Sequence, residues 1–159
     1  MENNFTVLFS CNSVRKVDPK NRVAVLAEWT CIAHGATLWM MRVKKGPYPV
    51  LKCYTKETYG ALVNNIRTEG KENGATPAEI NDYIGYLVSI SKEVEVNSQG
   101  KLHIPKEFKE HIKLQEEACL VGRDDYFEIW NKQDFEAHQK EIQAAIANSK
   151  LEKMFGTFT

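Results

Sequence analysis

The chain lacks several motifs that mark common classes of enzyme. Its four cysteines, at positions 11, 31, 53 and 119, form no C-x-x-C pair, and its four histidines are equally scattered. No zinc-ligand spacing results. A glycine-rich phosphate loop, an H-E-x-x-H motif and a G-x-S-x-G motif are also missing from the sequence. We therefore predict a protein that is not an enzyme and that has no catalytic residues, metal or cofactor.

Long apolar runs are also missing. The first twenty residues show no basic start followed by an apolar stretch. Every apolar run elsewhere is interrupted well short of the roughly 20 residues that a membrane span needs. This pattern predicts a soluble, cytoplasmic protein without a membrane partner.

An excess of positive charge is absent, since 21 basic residues balance 21 acidic ones. Proteins that bind nucleic acid usually carry a basic excess, so such a function would depend on how the charges are distributed. Arg15, Lys16, Lys20 and Arg22 do place four cations within eight residues, with Asp18 as the one acid among them. From the charges alone, this cluster is more typical of a solvated turn.

An internal repeat is present. Residues 17–25 align with residues 96–104 at an offset of 79, which places Trp29 over Phe108. Residues 54–59 align with residues 130–135 at an offset of 76. Each copy consists of a strand, a polar turn that ends in a cation, and a second strand, so the repeat predicts two similar units.

Local patterns predict the elements of the first copy. We expect strands near residues 6–10, 22–26, 37–43 and 50–54, with a turn at 18–21, a hairpin turn at 45–47 and a short helix near 28–33. A helix of about three turns follows Thr55 as N-cap. Gly70 to Gly74 looks like a joint, and Thr76-Pro77-Ala78-Glu79 has the form of a capping box that opens a connecting helix.

The second copy follows the same plan. We expect strands at 92–96, 101–104, 118–121 and 126–130, a helix opened by Pro105, and a helix after Asn131. The predicted organisation is a first unit over residues 1–70, a linker and connecting helix over 71–91, and a second unit over 92–159. Equivalent positions predict that Tyr54 and Trp130 are both buried. The apolar C-terminal residues 151, 154, 155 and 158 pack either on another subunit or on their own domain.

Three motifs of this repeat resemble the MraZ family. They are Asp18-x-x-x-Arg22 before an apolar strand, its counterpart from Asn97 to Pro105, and Leu120-Val121-Gly122 followed after four residues by Phe127-Glu128-Ile129-Trp130. The resemblance extends from about residue 17 to 142. It implies an α+β fold of two tandem SpoVT-AbrB-like swapped-hairpin units, with short strands and flanking helices, related by a pseudo-two-fold axis.

The resemblance also implies a function. It predicts an oligomeric, ring-shaped transcriptional regulator that binds double-stranded DNA at promoter direct repeats of the division and cell-wall gene cluster, in association with the nucleoid. The DNA-binding residues would be Arg15, Lys16, Lys20, Arg22 and Lys101, and Asp18 and Asn97 would close the turns or orient the cations. Asn21 stands where the family has glycine, and Leu26 where it has proline, whereas Gly100 and Pro105 keep both.

An alternative comes from a different class of protein. Neutral charge and the departures at Asn21, Asn97 and Lys101 also suit a ring-forming interaction module that has lost DNA recognition, or an antitoxin-like partner of another protein.

Overall fold

A computed structural model describes residues 6 to 158. The chain forms short strands interleaved with helices, in the order β1 (Asn12–Lys16), β2 (Arg22–Ala24), β3 (Thr37–Lys45), β4 (Tyr48–Tyr54), α1 (Lys56–Glu72), α2 (Pro77–Ser89), β5 (Ser91–Glu95), β6 (Lys101–His103), α3 (Lys106–His111), β7 (Glu117–Gly122), β8 (Phe127–Asn131), α4 (Lys132–Ala147) and α5 (Lys150–Phe155). The fold is α+β.

The strands form a six-stranded antiparallel sheet in the order β1-β7-β8-β4-β3-β5, and a separate two-stranded ribbon of β2 and β6. The order of the large sheet is symmetric about its centre, where β8 meets β4. The first strand of each half pairs with the hairpin of the other half, because β1 pairs with β7 and β5 pairs with β3. This exchange of strands is the arrangement that two swapped hairpins in one chain would give.

The main core lies between the six-stranded sheet and the β2–β6 ribbon. Val23 and Leu102, which face each other across the ribbon, are both fully buried. Trp29 and Phe108, equivalent in the repeat, are buried in the same cluster. Two smaller clusters lie elsewhere: Trp130 packs with Phe135 of α4, and a third cluster joins α1 and α2 to strands β3 and β4. Burying the apolar surface of both strand layers is the main driving force for this fold.

Helix signals in the sequence are confirmed where side chains cap the helix. Thr55 and Thr76 form capping boxes with Thr58 and Glu79, which begin α1 and α2. Asn131 accepts a hydrogen bond from the amide of Asp134 and begins α4. These caps satisfy backbone amides that have no partner inside the helix.

Several expected elements differ in the structure. The strand expected at residues 6–10 is wrong: Phe9 makes only an isolated bridge with Asp124, and β1 begins later, at Asn12. The helix expected near residues 28–33 is also wrong, because this segment forms consecutive turns that bury Trp29 and Ile32. Helix α1 continues through Gly70 to Glu72, so the turn before α2 is shorter than the glycines indicate. Tertiary packing overrides local propensity at these places.

Candidate nucleic-acid interface

The two polar turns have the same backbone hydrogen bonds. The Asp18 amide donates to the Arg22 carbonyl (2.9 Å), and the Asn97 amide donates to the Lys101 carbonyl (2.9 Å). The carbonyls of Asp18 and Asn97 each accept a bond of 3.0 Å from the residue three positions later. This correspondence is the structural basis for interpreting the two segments as copies of one unit.

The acceptor side chain of each turn also plays the same part. Asp18 Oδ1 accepts from the amides of Lys20 (2.9 Å) and Arg22 (2.8 Å). Asn97 Oδ1 accepts from the amides two and four residues later, both at 2.9 Å. Asparagine therefore keeps the turn without the charge, because either side chain presents the required oxygen.

Each turn ends in a residue with left-handed backbone. Asn21 has φ +60°, and Gly100 has φ +76°. Asparagine is one of the few residues with a side chain that adopts this conformation readily. Lys109 of α3 donates a hydrogen bond of 2.8 Å to Asn21 Oδ1. Replacing the glycine of the family pattern by Asn21 thus leaves the turn geometry intact.

The ribbon that follows the turns has one buried and one outer face. Arg22 pairs with His103 and Ala24 pairs with Lys101, on the side opposite the buried Val23–Leu102 pair. Residues directly opposite each other in an antiparallel pair lie on the same face. We call the side chains of residues 22, 24, 101 and 103, with the two turns beside them, the ribbon face. A surface depression on it is lined by Lys20, Arg22, Glu95, Asn97, Lys101 and His103.

Asp18 lies between two cations of the ribbon strands, Arg22 and Lys101. Its Oδ2 lies 2.9 Å from Arg22 Nε and 4.0 Å from Lys101 Nζ. Desolvation raises the pKa of Asp18, but the hydrogen bonds from Arg22 and Lys20 outweigh it and lower this pKa below its ordinary value. The Arg22 side chain is 29% exposed and the Lys101 side chain 38% exposed, so neither cation is folded into the interior.

The expected DNA-binding residues do not all lie together. Lys20, Arg22 and Lys101 line the ribbon-face depression, whereas Arg15 and Lys16 lie on the edge strand β1. Arg15 is half-buried, and its Nε is shielded from solvent without a hydrogen-bond partner among residues 6 to 158. Lys16 is exposed beside Glu117 of β7.

His103 was missed by the sequence analysis. It is exposed on the ribbon face directly opposite Arg22. The signal that could have found it is the alternation of β6, in which Leu102 is buried and its neighbours point outward. The pairing of β2 with β6, which places His103 beside Arg22, joins residues about 80 positions apart and leaves no local trace in the sequence.

The described residues offer little for other kinds of site. Between residues 6 and 158, no three His, Cys, Asp or Glu side chains are grouped as metal ligands. No helix in that range has both the length and the apolar character to cross a membrane.

The fold and the ribbon face define a small α+β protein with a cationic β-ribbon on its surface. Residues 88–158 match a family model described as "MraZ protein, putative antitoxin-like". Three relatives are each named transcriptional regulator MraZ. The one from Ligilactobacillus salivarius is 29% identical over 64% of this chain and 68% of its own length. Those from Nocardia farcinica and Desulfosudis oleivorans are 24% and 23% identical, over 90% and 92% of this chain and 94% and 99% of their own.

Taken together, the family model and these relatives, two of which span nearly the whole chain, confirm the resemblance found in the sequence. Over residues 88–158 the chain is similar to the MraZ family model, and over nearly its whole length it is similar to regulators of that name. Its named relatives are transcriptional regulators, a class without catalytic activity, in agreement with the prediction that the chain is not an enzyme.

Proposed function

We propose that this transcriptional regulator is an oligomeric, sequence-specific DNA-binding protein of the cytoplasm and nucleoid. It binds direct repeats in the promoter of the division and cell-wall gene cluster, and its ribbon face contacts the duplex. The organisation into two units, at residues 1–70 and 92–159 with a linker and helix between them, belongs to this proposal. The observation that carries it is the two-stranded ribbon with cations on its outer face.

The shape of the ribbon suits the major groove. This groove, roughly 12 Å wide, admits a two-stranded β-ribbon as readily as a helix. The ribbon face is held rigidly because Val23 and Leu102 beneath it are fully buried. Side chains on such a scaffold keep the position that specific contacts need.

Arg22 is the residue that we assign to base recognition. Its bond to Asp18 uses only Nε, so the two terminal nitrogens of the guanidinium remain to form paired hydrogen bonds. Such a pair with guanine O6 and N7 gives roughly 1–3 kcal/mol of discrimination against other bases. Lys101 presents a point charge, which suits a phosphate contact that positions the duplex.

The remaining proposed contacts are peripheral. Lys20 is exposed at the tip of the first turn, where it can reach a phosphate. Arg15 and Lys16 of β1 extend the positive charge away from the ribbon towards the sheet edge. Asp18 and Asn97 close the turns, and Asp18 also orients Arg22.

Oligomerisation compensates for the neutral charge of the chain. Each phosphate that a protein neutralises adds only about one unit to the salt dependence of binding, so one ribbon face alone binds weakly. Several copies that engage repeated sites together can raise avidity by about 10²–10⁴.

Two exposed apolar patches support such an assembly. Leu151, Met154, Phe155 and Phe158 are 65–75% exposed at the C-terminus, and Tyr83 and Tyr86 are 61% and 67% exposed on α2. Large apolar patches are typical of protein interfaces.

A gel-shift titration with the promoter region upstream of the chain's own gene tests DNA binding. We expect the wild-type chain to shift this fragment. Arg22→Ala should abolish the shift or lower the affinity for the specific sequence at least tenfold. Arg67→Ala, which removes an exposed arginine from α1, is the matched control and should leave the shift unchanged. Loss of the shift in both variants would contradict the role of the ribbon face.

The second candidate function is the interaction module, or antitoxin-like partner, without DNA recognition. The neutral second turn and the antitoxin-like description of the family model favour it. A purified chain that forms oligomers but shifts no promoter DNA at any salt concentration would support this alternative.

The assembly is tested separately. Phe155→Glu combined with Phe158→Glu should lower the native mass in light scattering and weaken promoter binding. Val7→Glu, at another exposed apolar position, is the control. Unchanged DNA affinity in a variant shown to be monomeric would contradict the avidity argument.

A further inference from the structure

The two ends of the ribbon face differ in the side chain that stands beside the cation. At the end next to the first turn, Arg22 is paired with His103. At the end next to the second turn, Lys101 is paired with Ala24. The repeat makes Arg22 equivalent to Lys101, and Ala24 equivalent to His103. One end therefore has two groups that form hydrogen bonds, and the other has one.

The charges around the two ends differ in the same sense. At the offset of 79 residues, the cations at positions 15, 16 and 20 of the first copy correspond to Val94, Glu95 and Gln99 of the second, and Asp18 corresponds to Asn97. With Arg22 and Lys101 included, the first segment carries four cations and one acid, and the second carries one of each. Of these cations, Lys20 and Arg22 line the ribbon-face depression at its first-turn end and Lys101 lines it at the other, whereas Arg15 and Lys16 lie on β1. The first-turn end of the ribbon face thus has more cations than the second.

His103 is placed to contact a base next to the one that Arg22 contacts. It is exposed, and it lies opposite Arg22 in the ribbon at a Cα separation of about 4.5–5.5 Å, as in any antiparallel pair. Base pairs in a duplex are about 3.4 Å apart. Two adjacent side chains can therefore meet neighbouring base pairs. A neutral imidazole offers one donor and one acceptor, which a base edge can match.

We infer that His103 is a second specificity-determining residue, which acts with Arg22 at a base-contacting end of the ribbon face, while the Lys101–Ala24 end contacts only the phosphate backbone. The inference rests on the proposed DNA-binding function. It makes each chain bind DNA in one orientation, because its two ends are not interchangeable.

Binding to a panel of promoter fragments, each with one base pair replaced, tests this inference. His103→Ala should lower discrimination at one or two base pairs by about 5- to 100-fold, beside the position that Arg22→Ala affects. The salt dependence should stay the same, because a hydrogen bond to a base neutralises no phosphate. Lys101→Ala should weaken binding to every fragment by a similar factor and reduce the salt slope by about one unit.

His103→Gln provides a second measurement. Glutamine pairs with adenine N6 and N7, so this variant should shift the preferred base at the His103 position towards adenine while binding is retained. Unchanged base preference in both His103 variants, or uniform weakening for all fragments, would overturn the role of His103 and leave the proposed function standing. A wild-type chain that binds no promoter DNA would overturn both.

Discussion

The first and second turns of this chain share a backbone and differ in nearly every exposed side chain. Both are closed by an oxygen acceptor, Asp18 or Asn97, and both end in a left-handed residue. The first turn then presents Arg22 and Lys20, and the second presents Lys101 and Gln99. The hydrogen bonds of the turn therefore fix its shape, whereas its charge differs between the two copies.

A similar comparison holds at the centre of the large sheet. Lys52 of β4 and Glu128 of β8 face each other, and they are equivalent in the repeat at the offset of 76. Glu128 is fully buried, and it accepts hydrogen bonds from Lys45 (2.8 Å), Arg123 (2.8 Å) and Trp130 Nε1 (3.1 Å). Lys52 is partly exposed, with its Nζ 4.9 Å from the Tyr126 ring centroid. The two halves thus differ in how much each relies on buried polar groups.

We expect the largest change in unfolding free energy from Trp130, whose equivalent in the repeat is Tyr54. Trp130 is fully buried and stacks on His138 at a centroid distance of 4.8 Å, whereas Tyr54 is 5% exposed and stacks on Tyr126 at 5.1 Å. Trp130→Ala should cost about 3–5 kcal/mol of unfolding free energy, and Tyr54→Ala about 2–3 kcal/mol. Urea unfolding measures both. A loss below about 1 kcal/mol for Trp130→Ala would contradict its place in the core.

Replacement of Glu128 should have the next largest effect. Glu128→Gln leaves Lys45 and Arg123 without their carboxylate. Because these side chains are 34% and 31% exposed and can be rehydrated, we expect a loss of about 2–3 kcal/mol, smaller than for a fully buried pair. Lys52→Met, the equivalent change in the first half, should cost less than about 1 kcal/mol. Equal losses of unfolding free energy in the two variants would contradict the view that the second half relies more on a buried polar group.

The same carboxylate predicts a dependence of stability on pH. Burial raises the pKa of Glu128, but the hydrogen bonds from Lys45, Arg123 and Trp130 outweigh it and lower the pKa below the ordinary value of 4.5. The contribution of Glu128 is therefore fully present above pH 4.5 and is lost as the pH falls through the lowered value. Urea titrations from pH 7 to pH 3 should show a smaller loss in Glu128→Gln than in the wild type.

The left-handed residues of the two turns should respond differently to exchange. A Cβ added at Gly100 would lie 3.0 Å from His34 Nε2, and the backbone has φ +76°. Gly100→Ala should therefore cost about 1 kcal/mol or more. Asn21→Gly loses the hydrogen bond from Lys109, but glycine adopts the left-handed backbone without steric strain. Its cost in unfolding free energy should therefore stay within about 0.5 kcal/mol. Thermal unfolding of both variants measures the difference, and a reversed order would contradict the matched geometry.

The smallest effect on the fold should come from exchanging the turn acceptors. Asp18→Asn keeps the oxygen that closes the turn, as Asn97 does, but removes the negative charge between Arg22 and Lys101. We expect tighter binding to unrelated DNA and weaker discrimination, since Arg22 is no longer oriented. Asn97→Asp should weaken all DNA binding. Gel shifts with specific and unrelated fragments distinguish these outcomes.

Much of the fold could be predicted from the sequence because the repeat carries information that local patterns lack. Strand β5 spans Ser91–Glu95, and the positions 79 residues earlier are Asn12–Lys16, which is where the structure has β1. The apolar residues Val7, Leu8 and Phe9 instead suggested a strand at 6–10, where only Phe9 makes a bridge. Local hydrophobicity reports burial, and burial alone does not distinguish a strand from a packed loop.

The candidate site was predictable only in part. The acid, the cation and the turn at Asp18 and Arg22 are local in sequence, and the structure places them as a hydrogen-bonded pair. The contact of Lys101 with Asp18 and the pairing of His103 with Arg22 depend on β2 meeting β6. No propensity of a single segment encodes such long-range pairing, so these neighbours emerge only in three dimensions.

The exchange of first strands has a consequence for how the protein is made. Strand β1 finds its partner in β7, about 100 residues further along the chain. At 5–20 residues per second, a ribosome needs about 5–20 s to synthesise the interval. During that time neither edge of β1 has a partner strand, and β1 joins the sheet only after β7 has emerged. A product that stops before β7 lacks the partner of its own first strand, and unpaired strand edges favour aggregation.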